Sequence, residues 1–493
     1  MIQIFIFILT LLAYTLSAFP QENDGVITNR KTVVTANKKA IKVAVVLPIT
    51  GEFREVGIDL ARSLSVIRDL TQDPKYDREF GGAYTFDIRV KNGACNAEQA
   101  RKVAQNIIAE KDIMFVIGHY CSVASLAAAP LYSDAGIIQI TPFSTQSILT
   151  EQGYKTFFRM AGRTDRYGEV AAEWLSELKQ DNKLATIYGD DIYGKSLVDN
   201  VILGLDLRDS VLNDKKPKDF KYYYQKPIIF DTYRDNITAM INKLVKDSIK
   251  LVYFGGYYSD LILILKEVKR RNLKINFFTG SSAQNYEFWK QSNDTAEGTI
   301  FTFTRDYTRD ISGEERNKAK RALNFNKYKK VHGIEKAIRK YGIQASRSIF
   351  ESNKSYKDRV LFIKEYYKQY NKFPDAYMTS IYATFEIMKN IIVNPDFKEP
   401  LNEIRNANLS ETDFRQFGYE IAAYMKDKGY NTSEEKVGFS TILGAVNFSL
   451  TGEWSNIEYV IYQWVKQRQN RQWLTATEDE EYIGPEGDFM RLF

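Results

Sequence analysis

The chain has 493 residues, with 68 Lys+Arg against 62 Asp+Glu and a formal net charge of +6. That length allows about two to four domains, and a make-up of 44% hydrophobic and 26% charged residues excludes wholesale disorder. Two histidines, His119 and His332, and two cysteines, Cys95 and Cys121, are too few for a His/Cys zinc or iron–sulfur centre, and the small positive excess gives little support for a nucleic-acid partner.

In chain order, residues 2–19 (IQIFIFILTLLAYTLSAF) carry no charge. They read as a secretory signal with small residues at Ser17-Ala18 for cleavage, or as an uncleaved anchor. Residues 20–39 read as a polar tether. Then a repeating pattern begins. Residues 41–47 (IKVAVVL) form a β-branched run closed by Pro48 and Gly51, and Leu60, Leu64 and Ile67 follow at helical spacing. Residues 84–90 alternate as a strand does. Asn96 with Gln99 predicts a capping box, ahead of Val103, Ile107 and Ile108 on one helix face. Further short runs at 114–117, 137–141, 184–188, 251–254 and 275–279 are separated by helical patterns such as Leu197, Val201, Leu205 and Ile237, Ile241, Leu244. Strands alternating with helices imply parallel sheets covered on both faces, and about ten such units are too many for one small sheet, so two α/β lobes are expected.

Residues 312–355 interrupt the pattern, with ten Lys/Arg and one acid, Glu335, between Arg316 and Lys340. Base-reading and stacking motifs are absent there, which favours a solvated insertion over a nucleic-acid surface. A helix resumes over about 360–370, Asp375 precedes another, and residues 443–448 and 457–464 predict late strands. Residues 471–493 read as a C-terminal tail without core periodicity.

Ligands of open parallel sheets sit beyond the carboxyl ends of the strands. One such end is Gly118-His119-Tyr120-Cys121-Ser122, where a hydroxyl and the unpaired N–H groups of an opening helix together suit a carboxylate or phosphate. Another is Pro142-Phe143-Ser144-Thr145. Plain helix capping explains each hydroxyl equally well when it is taken alone. Cys95 and Cys121 follow the second and third strands. A disulfide stiffening the turn at Ser122 is the preferred reading, with two buried free thiols, or a Cys/His119 nucleophile lacking an orienting Asn or Asp, as the alternatives.

The ordered set IKVAVVLPITG, NGACNAEQA, FVIGHYCSVAS, GIIQITPFST, LTEQGY, DDIYGKS, LVYFGGYY, AEGTIFT, FPDAY, ILGAVNFSLTGEW and YVIYQW resembles the periplasmic branched-chain amino acid binding proteins of ABC importers, over about residues 41–464. The resemblance implies an α/β fold of two Rossmann-like lobes joined by three crossovers, near Arg163, Thr304 and Ile457, that closes like a flytrap. It implies one lobe from 40–163 and 306–457 and another from 164–305 and 458–470. It also implies a ligand carboxylate held by Ser122 and Thr145 with backbone groups and Tyr120 beside them, an ammonium that the carbonyl of Phe143 helps to hold, and a cover of Tyr193 and Tyr257. Relatives place an acid where this chain has Ser281, and a small residue where it has Phe143. The ligand therefore either lacks an α-ammonium or finds a countercharge in Asp165, Asp191 or Asp260, because a bare buried ammonium costs several kcal/mol.

The function expected is an exported, periplasmic, monomeric solute receptor that delivers a small carboxylate, an amino acid or related metabolite, to an ABC permease. It uses no cofactor or metal and no nucleic acid. A sensor module that signals to a membrane partner is the alternative. An enzyme ranks last, since GxSxG, HExxH and Walker A strings are absent.

Overall fold

The computed structural model describes residues 39–72, 84–177, 183–212, 228–230, 234–306, 336, 358–359, 361–372, 374–405, 409–430, 438–466 and 487–491. The apolar run 2–19, most of the tether, the basic stretch apart from Lys336, and residues 471–486 lie outside them.

The first lobe is built on five parallel strands, β1 (Lys39–Leu47), β2 (Tyr84–Asn92), β3 (Ile113–Ile117), β4 (Ile138–Thr141) and β5 (Phe157–Arg159), in the spatial order β2-β1-β3-β4-β5. Place in the sheet explains the two kinds of strand sequence. β1 lies between β2 and β3, and Val43 to Leu47 are fully buried. β2 is an edge, so Tyr84 and Phe86 point inward while Asp87 and Arg89 pair outside at 2.7 Å. Leu60, Leu64 and Ile67 are the buried stripe of the helix Arg54–Gln72. Of the predicted capping box only half forms. Asn96 accepts from the Gln99 N–H at 3.0 Å, but the Gln99 amide reaches the Asn92 carbonyl at 3.4 Å instead of returning to the cap.

The second lobe carries β6 (Leu184–Gly189), β7 (Ile228–Phe230), β8 (Leu251–Gly255), β9 (Asn276–Thr279) and β10 (Ile300–Thr304), which pair in parallel. The chain passes from the first sheet to the second after β5, through residues 160–163 into the helix Thr164–Glu177. It leaves again after β10. Back in the first lobe, the helix Ala376–Ile392 is buried along nearly its whole length, between the helix Arg54–Gln72 and a small hairpin of β11 (Phe439–Thr441) and β12 (Gly444–Val446). The chain then re-enters the second sheet as β13 (Tyr459–Lys466), antiparallel to β10 with Thr304 opposite Tyr459.

The late strand expected at 443–448 is shorter than the sequence suggests, because Gly444 at φ 91° makes the hairpin turn. The reading of 471–493 as a tail also needs correction. Residues Gly487–Arg491 form β14, an edge strand antiparallel to β13, with Trp464 opposite Phe489. Five residues are too short a window for alternation to stand out. No helix among the described residues is long and apolar enough to cross a membrane.

Candidate ligand-binding site

The first wall of the cleft is the loop after β3. Gly118 sits at φ 129°, where a Cβ would meet the Val46 carbonyl oxygen at 2.6 Å, so only glycine fits. The next carbonyl, of His119, accepts from Ser144 Oγ at 3.0 Å, Thr141 Oγ1 at 3.1 Å and Ser125 Oγ at 3.2 Å. These bonds tie the loop after β3 to the loop after β4. Cys121 is bridged to Cys95, with Cα atoms 5.2 Å apart, and is the N-cap of the helix Ser122–Ala135. Burial pushes the His119 imidazole down to about 3, so it stays uncharged at neutral pH. With Cys121 bridged, the free-thiol and Cys/His readings both fall.

Ser122 opens that helix, where N–H groups lack acceptors within the helix. Its Oγ accepts from the Gln146 N–H at 3.3 Å, which leaves the hydroxyl proton for another acceptor. Thr145 precedes Gln146 and is buried, and its carbonyl accepts from the Thr164 N–H at 2.8 Å.

The second wall comes from three strand ends. After β6, Asp191 accepts from the N–H groups of Tyr193 at 2.8 Å and Gly194 at 2.9 Å, opening the helix Ile192–Leu212. Gly194 lies against Gly255 at the end of β8. A Cβ on Gly255 would meet the Gly194 oxygen at 2.2 Å, so two glycines let these loops touch and bring Tyr193 beside Tyr257. Those rings lie 5.1 Å apart. After β9, Ser281 and Ser282 form a turn that the Tyr193 hydroxyl holds, at 3.2 Å from Ser281 Oγ and accepting from the Ser282 N–H at 3.1 Å.

Between the walls lies a cavity with about 290 Å³ of empty space. Tyr120, Ser122, Phe143 and Thr145 line it from the first lobe, and Tyr193, Tyr257 and Ser281 from the second. All seven residues singled out in the sequence are therefore brought together. Two further lining residues, Ser282 and Tyr377, were not singled out. Tyr377 stands in the first turn of the helix Ala376–Ile392, which Asp375 caps, and lines the cavity with Ser281. Gln146 was missed too. Its amide donates to the Ile192 carbonyl at 3.0 Å and so latches one lobe to the other. The rings of Phe53 and Tyr257, 4.8 Å apart, meet across the same gap.

The three proposed countercharges do not line this cavity. Asp165 is held by Arg163 at 2.7 Å; burial opposes its ionised form, but Arg163 more than offsets this and keeps the carboxyl below its usual range. Asp191 is occupied as a helix cap, and its carboxyl is pushed up by burial. Asp260 is pushed up to about 7, by burial first and then by Glu52 and Asp191. Among the described residues, no Asp, Glu, Lys or Arg lines the cavity, and no group of three or more His, Cys, Asp or Glu is placed to hold a metal ion.

A family model described as "Receptor family ligand binding region" matches residues 71–467. The chain belongs to this family. Among its relatives, the leucine-, isoleucine-, valine-, threonine- and alanine-binding protein of Pseudomonas aeruginosa is 27% identical over 316 residues, covering 61% of this chain and 79% of that one. The leucine-specific-binding protein of Salmonella typhimurium is 30% identical over 252 residues, 48% of this chain and 64% of that one, so the match spans less than two thirds of that relative. Among solved structures, a leucine-binding protein from Thermotoga maritima superposes with a TM-score of 0.59 at 16% identity, covering 86% of this chain and 95% of that one. A branched-chain amino acid transporter substrate-binding protein from Streptococcus pneumoniae, in complex with isoleucine, gives 0.57 at 16% identity over 87% and 96%. At these identities the structures show a shared fold, the two-lobed type I periplasmic-binding architecture. These proteins are binders and not enzymes, and the chain stands with them.

Proposed function

We propose that the protein is an exported solute receptor that closes on a small carboxylate and hands it to an ABC permease. The observation that carries this reading is the cavity shared by the two walls, with the Ser122 hydroxyl at a helix N-terminus and Thr145 beside it. A helix N-terminus supplies N–H donors and a partial positive charge, which suit an anion even where no Lys or Arg lines the site. Ligand contacts to both walls favour the closed over the open arrangement, and the affinity difference between the two states is all the energy closure can draw on. The relatives named for binding leucine and related amino acids support a solute of that size. A solved neighbour named as the substrate-binding protein of a branched-chain amino acid transporter supports partnership with a membrane transporter.

Ser122→Ala and Thr145→Ala are each expected to weaken binding of the cognate carboxylate by about 1–3 kcal/mol, the cost of unpairing a buried charged group. Calorimetry that finds full affinity in both variants removes the carboxylate assignment. Delivery is tested by uptake: cells that keep the permease but lack this chain should lose import of the same solute.

A further inference from the structure

The cavity is unusual in having five aromatic rings and no ionised side chain on its walls. Tyr120, Phe143 and Tyr377 cluster on the first-lobe side, at centroid distances of 5.3 Å, 5.5 Å and 6.1 Å. Tyr193 and Tyr257 face them from the second lobe, and Phe53 packs on Tyr257 and on Tyr120, the latter at 6.0 Å. Burial pushes all four phenols up, so the rings are uncharged at neutral pH.

Three facts narrow the ligand. A carboxylate at Ser122 enters a pocket without a cationic side chain, so a ligand that carries its own positive charge loses least on burial. A primary ammonium, however, brings three N–H donors that each need an acceptor. Polar groups at the far end are already engaged with one another: Tyr193 with Ser281 and Ser282, and Ser282 Oγ with the Gly256 carbonyl at 2.8 Å. A fully methylated ammonium has no N–H to satisfy, and ring faces attract it by cation–π interaction. The rings also stand close together, Tyr193 and Tyr257 at 5.1 Å and Tyr120 and Phe143 at 5.3 Å, which suits a compact cation.

We propose that the cavity takes a compact betaine, a carboxylate joined to a quaternary ammonium, with the methylated cation caged by Tyr120, Tyr193, Tyr257, Tyr377 and Phe143. This rests on the carboxylate reading above. Ser281 stands where the relatives implied by the sequence place an acid, and the rings beside it offer several faces in place of that one countercharge.

The test is calorimetry on the full chain with four probes. N,N,N-trimethylglycine has both groups. 3,3-Dimethylbutanoate keeps its shape but replaces the nitrogen cation with carbon. Choline keeps the cation without the carboxylate, and leucine has a primary ammonium. N,N,N-trimethylglycine is expected to bind tightest, about tenfold or more above 3,3-dimethylbutanoate. Tyr257→Leu should shrink that ratio, while Tyr257→Phe, which keeps the ring, should preserve it. Equal binding of N,N,N-trimethylglycine and 3,3-dimethylbutanoate, or tightest binding of leucine, overturns the cage while leaving the carboxylate reading intact. Choline binding as tightly as N,N,N-trimethylglycine, with no loss in Ser122→Ala, overturns the carboxylate reading and the betaine assignment with it. Silence from all four probes overturns the assignment as well.

Discussion

The two walls of the cleft reach the same cavity by opposite means. The first is braced: a disulfide, a carbonyl gathering three hydroxyls, and a buried ion pair fix where Ser122 and Thr145 stand, beside the rings of Tyr120, Phe143 and Tyr377. In that pair Arg159, fully buried, donates through Nε to Glu453 at 3.0 Å and through Nη1 to the Gln146 carbonyl at 2.7 Å, next to Thr145. The second wall, which brings Tyr193 and Tyr257, is held by close packing, with glycines pressed together and hydroxyls engaged in pairs. Its acids, Asp191 and Asp260, stand outside the cavity lining. A wall that must offer N–H and O–H groups to an anion needs exact placement, since hydrogen bonds weaken steeply with geometry. A wall of ring faces tolerates more latitude.

The strongest way to break this contrast is at the brace. Burial opposes the ionised form of Glu453, but Arg159 and Arg163 hold its carboxyl below the usual range. Glu453→Ala strands a buried guanidinium and is expected to cost about 3–5 kcal/mol of stability, read from denaturant midpoints. Replacing Cys95 and Cys121 together by Ser should cost about 3 kcal/mol by the chain-entropy account for a bridge of this span. It should also weaken carboxylate binding, whereas loosening the aromatic wall should alter selectivity first.

Sharpening the contrast means putting a charge back. Ser281→Glu is expected to raise the affinity for α-amino acids over their deaminated analogues by about tenfold, through a charge-assisted bond to the ammonium. An unchanged ratio in a competition assay would place the countercharge elsewhere. A further effect concerns pH. Asp260 rises from an ordinary 3.8 to about 7 in the folded protein. The folded state therefore binds the extra proton between those values, and stability falls as pH climbs from about 4 to about 7, then levels off. Asp260→Asn should remove that slope and stabilise the protein at pH 8, measured by thermal melts across pH.

Much of this was legible in the sequence wherever burial is continuous. β1, β3 and β8 are apolar runs because they are interior strands, and each surfaced as such. β5, β7 and β14 are three to five residues long, too short for a period to declare itself. The hydroxyls at Ser122 and Thr145 were readable because strand ends in parallel sheets point to the ligand. Tyr377 was not, although Asp375 was read as preceding a helix, because a helix start does not state what its first turn will face. The countercharge question likewise turned on position. Asp165, Asp191 and Asp260 are equally plausible on paper, and only the fold shows one tied to Arg163, one spent as a cap and one outside the lining.

Phe53 gives the arrangement a timing. Its ring rests on Tyr257 and also lies 6.1 Å from Tyr258, in the opposite half of the molecule. These contacts join the two halves beside the cavity, so a variant trimmed at Phe53 is expected to part them more readily and release its cargo faster, read from dissociation rates, at little change in what it chooses to carry.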